Sequence, residues 1–228
     1  MGDFNQFAGR YSEDLDRKLS VMGASAAEFA RQKWLRLQGL SEKHLGPTKN
    51  LKILDLGCGP GNVSYFLRET FGTVVGADVS LQLIQDAKSA VEGVSFVHIE
   101  PGPLPFADEE FDIAFCAGVF HHLKDSELPA VCSEMARVIK PGGLVVIFEH
   151  NPVNPLTRKL VRDCDLDWDV ERLLPQRQTI GLLNAAGLRT VATDYISFFA
   201  GVLGRLRPLE KWCGWCPLGA QYLVAGQK

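Results

Sequence analysis

The chain has 228 residues, 46% of them hydrophobic and 22% charged, with a formal net charge of −3. That length holds one α/β domain with a full core, and the mixed composition excludes disordered, collagenous and low-complexity classes. Lys and Arg total 24 against 27 acids, so no overall basic field directs the chain to nucleic acid, and the longest apolar stretch, Ile113 to Phe120, is too short to span a bilayer.

Residues 1–45 read as helical. Phe4, Phe7 and Tyr11 fall at i, i+3 and i+7, and a second periodic run covers Ala24 to Leu40. The opening residues carry no apolar run of the kind a secretory signal needs, and Gln6 stands where a myristoylation site wants Ser or Thr. Gly46-Pro47 breaks the chain, dividing a helical segment over 1–45 from a core over 46–228. From Leu51 the pattern changes to short apolar runs alternating with helical stretches. Strands are predicted at Ile53–Leu56, Thr73–Asp78, Val94–Ile99, Phe111–Ala117, Leu144–Phe148, Val191–Phe198 and Gln221–Ala225. Helices are predicted at Val63–Phe71, Leu81–Val91, from Leu128 to Ile139, and from Pro175 to Gly187. Lys140-Pro141-Gly142-Gly143 stops the third of these, and residues about 150–178 form an irregular insertion. Strands alternating with helices predict a doubly wound, mostly parallel sheet covered on both faces.

Six cysteines scattered over the chain do not make a disulfide framework. Cys58, Cys116 and Cys132 lie in apolar or Gly-rich stretches and read as small buried hydrophobes, and the expected compartment is the reducing cytoplasm. Cys213-Gly214-Trp215-Cys216 has redox spacing, but no helix follows it to lower a thiol pKa, and no second ligand pair accompanies it for zinc. A loop with packed thiols is the expectation.

Asp55-Leu56-Gly57-Cys58-Gly59-Pro60-Gly61-Asn62 lies between the first strand and the first helix of the alternating part. Ligands of doubly wound sheets bind outside the carboxyl ends of the strands, and glycines there let the backbone approach a ligand closely. Asp78 follows at the end of the next strand, where an acid can accept hydrogen bonds from ribose hydroxyls. Nicotinamide and S-adenosylmethionine sites share these features, and spacing separates them. The dinucleotide fingerprint, Gly-x-Gly-x-x-Gly, seats a pyrophosphate on a helix N-terminus, and here Asn62 occupies its last position. No Gly-Lys-Ser/Thr follows for a phosphate loop either.

At this point the chain resembles the class I S-adenosylmethionine-dependent methyltransferases, in particular their type 11 small-molecule branch. ILDLGCGPGN (Ile53–Asn62), VVGADVS (Val74–Ser80), LPFADEEFD (Leu104–Asp112), FCAGVFHHL (Phe115–Leu123) and RVIKPGG (Arg137–Gly143) occur in the family's order. The resemblance implies a seven-stranded Rossmann-like sheet with the last strand antiparallel, and an N-terminal helical lid that brings Tyr11, with Arg17 or Arg31, over the cofactor. It implies that Asp55, Gly57, Cys58, Gly59 and Gly61 hold the methionine moiety of S-adenosylmethionine. Asp78 would take the ribose hydroxyls, and Val79 would pack against the adenine. Glu100 and Pro101 stand where the family has Gly-Asp-Ala, and Cys116, Ala117, Gly118 and Val119 would line the methionine end.

Methyl transfer from a sulfonium is an in-line displacement, for which alignment can supply roughly 7–11 kcal/mol of barrier reduction. A hydroxyl acceptor must also lose a proton, and a general base contributes about 10²–10⁴-fold. His121 and His122 follow the fourth strand, and Glu149 and His150 the fifth, on the same carboxyl edge. These four are the candidate bases; packing and backbone positioning are the alternative role of the His pair. The alternation Asp163, Asp165, Asp167, Asp169, Glu171 fails as a calcium loop, because Trp168 and Leu174 stand where Gly and Glu are required. No metal site is assigned; a magnesium site like that of catechol-type methyltransferases is the lesser alternative to an acceptor-facing acidic lid. Phe198 to Trp215 interleaves aromatics with Arg205, Arg207 and Lys211, which suits a membrane surface or an apolar acceptor, or a helix packed with its charges outward. The expected partner is a small-molecule acceptor, most simply a hydroxyl, with no sign of oligomeric state. A non-catalytic cofactor-binding scaffold is the alternative, and a nicotinamide oxidoreductase loses on loop spacing.

Overall fold

The short apolar runs after Leu51 become the strands of one sheet in the computed structural model, which describes residues 11–20, 25–163, 172–199 and 201–228. They are β1 (Lys52–Leu56), β2 (Thr73–Asp78), β3 (Ser95–His98), β4 (Phe111–Ala117), β5 (Ile139–His150), β6 (Arg189–Ile196) and β7 (Gln221–Gln227). Their order is β3-β2-β1-β4-β5-β7-β6. β1 through β5 pair in parallel, and β7 runs antiparallel to both β5 and β6. This is the doubly wound sheet the sequence predicts, including its antiparallel last strand.

Strand alternation divides the core into two layers. Leu54, Leu56, Ala114 and Val145 pack with Leu128, Cys132 and Met135 of α5 (Leu128–Val138) and Leu183 of α7 (Gln176–Ala185). Ile53, Val74, Ile113 and Val146 face the other way, against Leu37 of α2 (Ala26–His44) and Leu67 of α3 (Ser64–Leu67). α1 (Tyr11–Ser20), α4 (Leu81–Ala90) and α6 (Pro155–Arg162) complete the α-helices among the described residues. Burial on both faces explains why the central strands read as continuous apolar runs.

The N-terminal segment is locked to this core by side chains. Ser25 caps α2 in a reciprocal box with Glu28, and Asp16 of α1 accepts the Ala26 N–H at 2.7 Å. The Trp34 indole donates to Thr70 Oγ1 at 2.9 Å and stacks on Phe66, and Ser197 Oγ donates to Gln32 at 2.6 Å.

Three elements depart from the sequence expectation. The helix predicted over 63–71 is α-helical only at Ser64–Leu67; beyond it the N–H groups of Glu69 and Thr70 reach back three residues, tightening the chain so that Gly72 N–H meets Thr48 and Leu51 carbonyls. β5 starts at Ile139, which pairs with Phe111, and regular pairing resumes at Ile113–Leu144. Pro141-Gly142-Gly143 is therefore a bulge within a strand, closed by Gly142 N–H to the Lys228 carbonyl and Lys228 N–H to the Gly143 carbonyl. β6 ends at Ile196, because Ser197 takes a left-handed φ of 62°. Of the acidic alternation only Asp163 lies among the described residues.

Candidate active site

The carboxyl ends of β1 and β2 hold the glycine loop from beneath. Gly57 and Cys58 donate their N–H groups to the Ala77 carbonyl at 2.7 and 3.1 Å, and Gly59 N–H reaches Asp78 Oδ2 at 2.9 Å. Gly57 has φ +73° and backs onto Val119, whose Cγ2 would lie 2.4 Å from any added Cβ. No larger residue fits there. The loop's remaining glycines share the left-handed conformation, leaving it as a bare backbone concavity.

Two buried carboxyls face this loop. Ser64 Oγ donates to Asp55 Oδ2 at 2.6 Å. Burial pushes the Asp55 carboxyl up to about 7; the Ser64 bond opposes that rise, neighbouring Asp78 adds to it, and Lys33 opposes it. Asp78 is also raised by burial, against the pull of the Ser80 and Gly59 N–H groups it accepts. Both sites would gain from a cation or a hydroxyl donor placed against them.

α2 supplies the opposite wall. Leu15 of α1, with Ala26, Phe29, Ala30 and Lys33 of α2, lines a cavity open to solvent whose floor is Asp55, Gly57 to Pro60, Asn62, Val63 and Ala117. Burial pushes the Lys33 ammonium down to about 8, against the pull of Glu149 and Asp55. The cavity thus opposes one cation to one carboxyl, a match for the zwitterion of an α-amino acid.

The four candidate bases come together at the ends of β4 and β5. His121 Nδ1 lies 2.6 Å from Glu149 Oε2, both side chains buried, and Glu149 Oε1 accepts the Phe120 N–H at 2.7 Å. Ring centroids of His122 and His150 lie 4.2 and 4.9 Å from that of His121. Burial alone would raise the Glu149 carboxyl; the charge and hydrogen bond of His121, then His150 and the Phe120 N–H, outweigh it and hold Glu149 at about 2. A carboxylate only accepts, so Nδ1 carries a proton and donates it to Glu149. Such a pair orients a base, and it also ties the loop after β4 to the end of β5.

The other predicted residues are placed as follows. Ala117 lines the cavity, Cys116 lies fully in the core, and Gly118 turns with φ +71°, its N–H on the Phe148 carbonyl. Val79 packs on the core beside His98, whose Nε2 lies 3.1 Å from the Val79 carbonyl, while Glu100 and Pro101 are exposed beyond β3. The Tyr11 side chain lies outside the described residues, and Arg17 and Arg31 are exposed, Arg17 paired with Asp14 at 2.7 Å. Lys33, which the sequence does not single out, takes the place expected of those arginines. Ala26, Ala30, Lys33 and Leu37 fall on one stripe of α2, and the packing of that stripe on the sheet brings Lys33 to the loop. Among the described residues no three His, Cys, Asp or Glu side chains are grouped to hold a metal ion. The described cysteines are unpaired thiols, and Cys213 Sγ rests on the Leu209 carbonyl.

Residues 53–143 match the family model described as "Methyltransferase domain". Over that segment the chain is similar to methyltransferase domains. The five ordered motifs of the sequence all fall within it. The chain is 33% identical over 135 residues to an uncharacterized methyltransferase of Synechocystis sp., covering 56% of this chain and 64% of that one. A ubiquinone/menaquinone biosynthesis C-methyltransferase of Desulfotalea psychrophila is 29% identical, over 65% of this chain and 57% of its own. A demethylmenaquinone methyltransferase of Staphylococcus aureus is 32% identical, over 52% and 51%. This chain therefore spans less than two thirds of the length of these curated relatives. Among solved structures, a SAM-dependent methyltransferase from Archaeoglobus fulgidus aligns over 86% of this chain and 94% of its own, with TM-score 0.62 and 15% identity. At that identity the likeness establishes the fold.

Proposed function

We propose that the chain transfers the methyl group of S-adenosylmethionine to the hydroxyl of a small molecule. The observation that carries this reading is the cavity in which Asp55, the bare glycine loop and Lys33 meet under α2. When bound, S-adenosylmethionine supplies an electrophilic methyl group on a sulfonium. Asp55 accepts from the amino group of the donor, Lys33 donates to its carboxylate, and Asp78 accepts from ribose hydroxyls. α1 and α2 exclude water from the cavity and act as its lid. His121, oriented by Glu149, takes the acceptor proton.

A ring carbon is the second reading for the acceptor atom, favoured by the quinone C-methyltransferases among the relatives. Calorimetry with S-adenosylhomocysteine tests the cofactor part, and failure of the folded chain to bind it would sink the proposal. Labelled-methyl transfer to small molecules of a cell extract tests turnover. Product lost on Asp78→Ala is expected; no labelled product from wild type would leave the scaffold reading in its place. Carbon-linked label in the isolated product would overturn the hydroxyl assignment.

A further inference from the structure

A surface that contributes nothing to the lining of the cavity runs along residues 201–218, a stretch of 3₁₀ turns (Gly201–Trp212) followed by a tight loop. Trp212 is 63% and Trp215 82% exposed, with Leu206, Leu209 and Leu218 exposed beside them in the chain. Soluble surfaces seldom leave so many large apolar groups together. The loop is also held firmly. Gly214 accepts the Tyr195 N–H at 2.8 Å, Cys216 N–H reaches the Cys213 carbonyl, and Glu210 is buried, accepting the N–H groups of Phe198 and Phe199.

The start of α6 belongs to the same piece. Asn151 Nδ2 donates to the Pro217 and Gly219 carbonyls, Asn154 Nδ2 to Leu218 O at 2.7 Å, and Thr157 Oγ1 to Ala220 O. α6 adds exposed Leu156 together with exposed Arg158 and Lys159. Among the described side chains of the 201–218 stretch the exposed charges are Arg205 and Lys211, the Lys211 ammonium lying 4.4 Å over the Trp212 ring. A chain with net charge −3 thus presents tryptophans and leucines set among cations on this ridge.

We propose that this ridge is a membrane-docking surface that seats on anionic lipid headgroups. Tryptophan rings settle at the headgroup level, leucines reach the acyl boundary, and lysine and arginine meet the negative surface. The mode is peripheral, since no helix among the described residues is long and apolar enough to cross a bilayer. The proposal is independent of methyl transfer and needs no turnover to test.

The experiment is co-sedimentation of the full chain with phosphatidylcholine vesicles, with and without phosphatidylglycerol, while tryptophan emission is recorded. Expected are binding to the anionic vesicles, weakening with added salt, and a blue shift in emission. Trp212→Ala with Trp215→Ala should weaken binding about tenfold or more, because each ring loses its apolar burial. Arg205→Glu with Lys211→Glu should do the same while sparing the aromatic groups. All four side chains are solvent-exposed, and an unchanged thermal melt confirms that each variant folds. Absence of binding at low salt, or equal binding by the tryptophan variant, overturns the proposal. So does light scattering that shows a dimer which the tryptophan variant dissociates, for then the ridge is covered by a second copy.

Discussion

Asp55 sets a pH dependence whose sign follows from its environment. Its folded-state carboxyl stands at about 7, above the ordinary value of 3.8, because burial disfavours the charged form. The folded chain therefore holds an extra proton between those limits, and stability falls as pH rises through that window. Asp55→Asn removes the charge and retains an acceptor for Ser64, so at pH near 8 it should raise unfolding stability by about 1–3 kcal/mol. Below pH about 4 the difference should vanish, and urea melts at the two pH values would check both. An amino group bound against Asp55 requires the carboxylate. Affinity for S-adenosylhomocysteine should accordingly drop up to about tenfold per unit as pH falls below 7, readable by calorimetry.

Glu149 behaves oppositely. Its carboxylate is held at about 2, below the ordinary 4.5, so its contribution to stability is complete above 4.5 and is lost as pH falls toward 2. Glu149→Gln should destabilise by roughly 3–5 kcal/mol at neutral pH, since it strands one member of a buried pair, with the gap closing in acid. Lys33→Met tests the cation of the cavity. It should weaken S-adenosylhomocysteine about ten- to a hundredfold while leaving methylthioadenosine, which has no carboxylate, unchanged. Equal losses for both ligands would remove Lys33 from the carboxylate site.

At the scale of elements, α2 links sequence to site. Its capping box fixes where it starts, Leu37 and Trp34 fix how it rolls on the sheet, and that roll alone decides which of its cations meets the loop. Ser25→Ala should cost about 1 kcal/mol, seen as faster amide exchange in the first turn of α2 and a looser cavity wall. The strands and the glycine loop are legible in sequence because period, apolar runs and left-handed turns leave local marks. Lys33 is not, because Arg31, Lys33 and Arg36 look alike until the packing of α2 is known. The Glu149–His121 contact is hidden for a similar reason. Parallel register sets Ala117 beside Phe148, but the turn carrying residue 121 back over Glu149 leaves no periodic trace. Motifs also differ in what they mark. Arg137, in the last of the ordered family motifs, reaches the Leu104 and Phe106 carbonyls and Asp108, so that pair of motifs records a structural clamp.

For the molecule as a whole, ligand binding and folding are linked. A donor-derived ligand present at about a hundredfold over its Kd should add about 2.7 kcal/mol to unfolding stability. S-adenosylhomocysteine is expected to raise the thermal midpoint on that scale and NAD to leave it unmoved; a shift with NAD alone would revive the dinucleotide alternative. The cavity and the His121–Glu149 pair share the carboxyl edge of the sheet, as doubly wound folds arrange their ligands.

The place of β7 has a consequence during synthesis. It lies between β5 and β6, and β6 has no other neighbour in the sheet. Until residues 221–227 leave the ribosome, β5 keeps an open apolar edge and β6 has nowhere to pair. The domain therefore closes only at its last strand, and a nascent chain stalled before it would offer chaperones an unpaired edge.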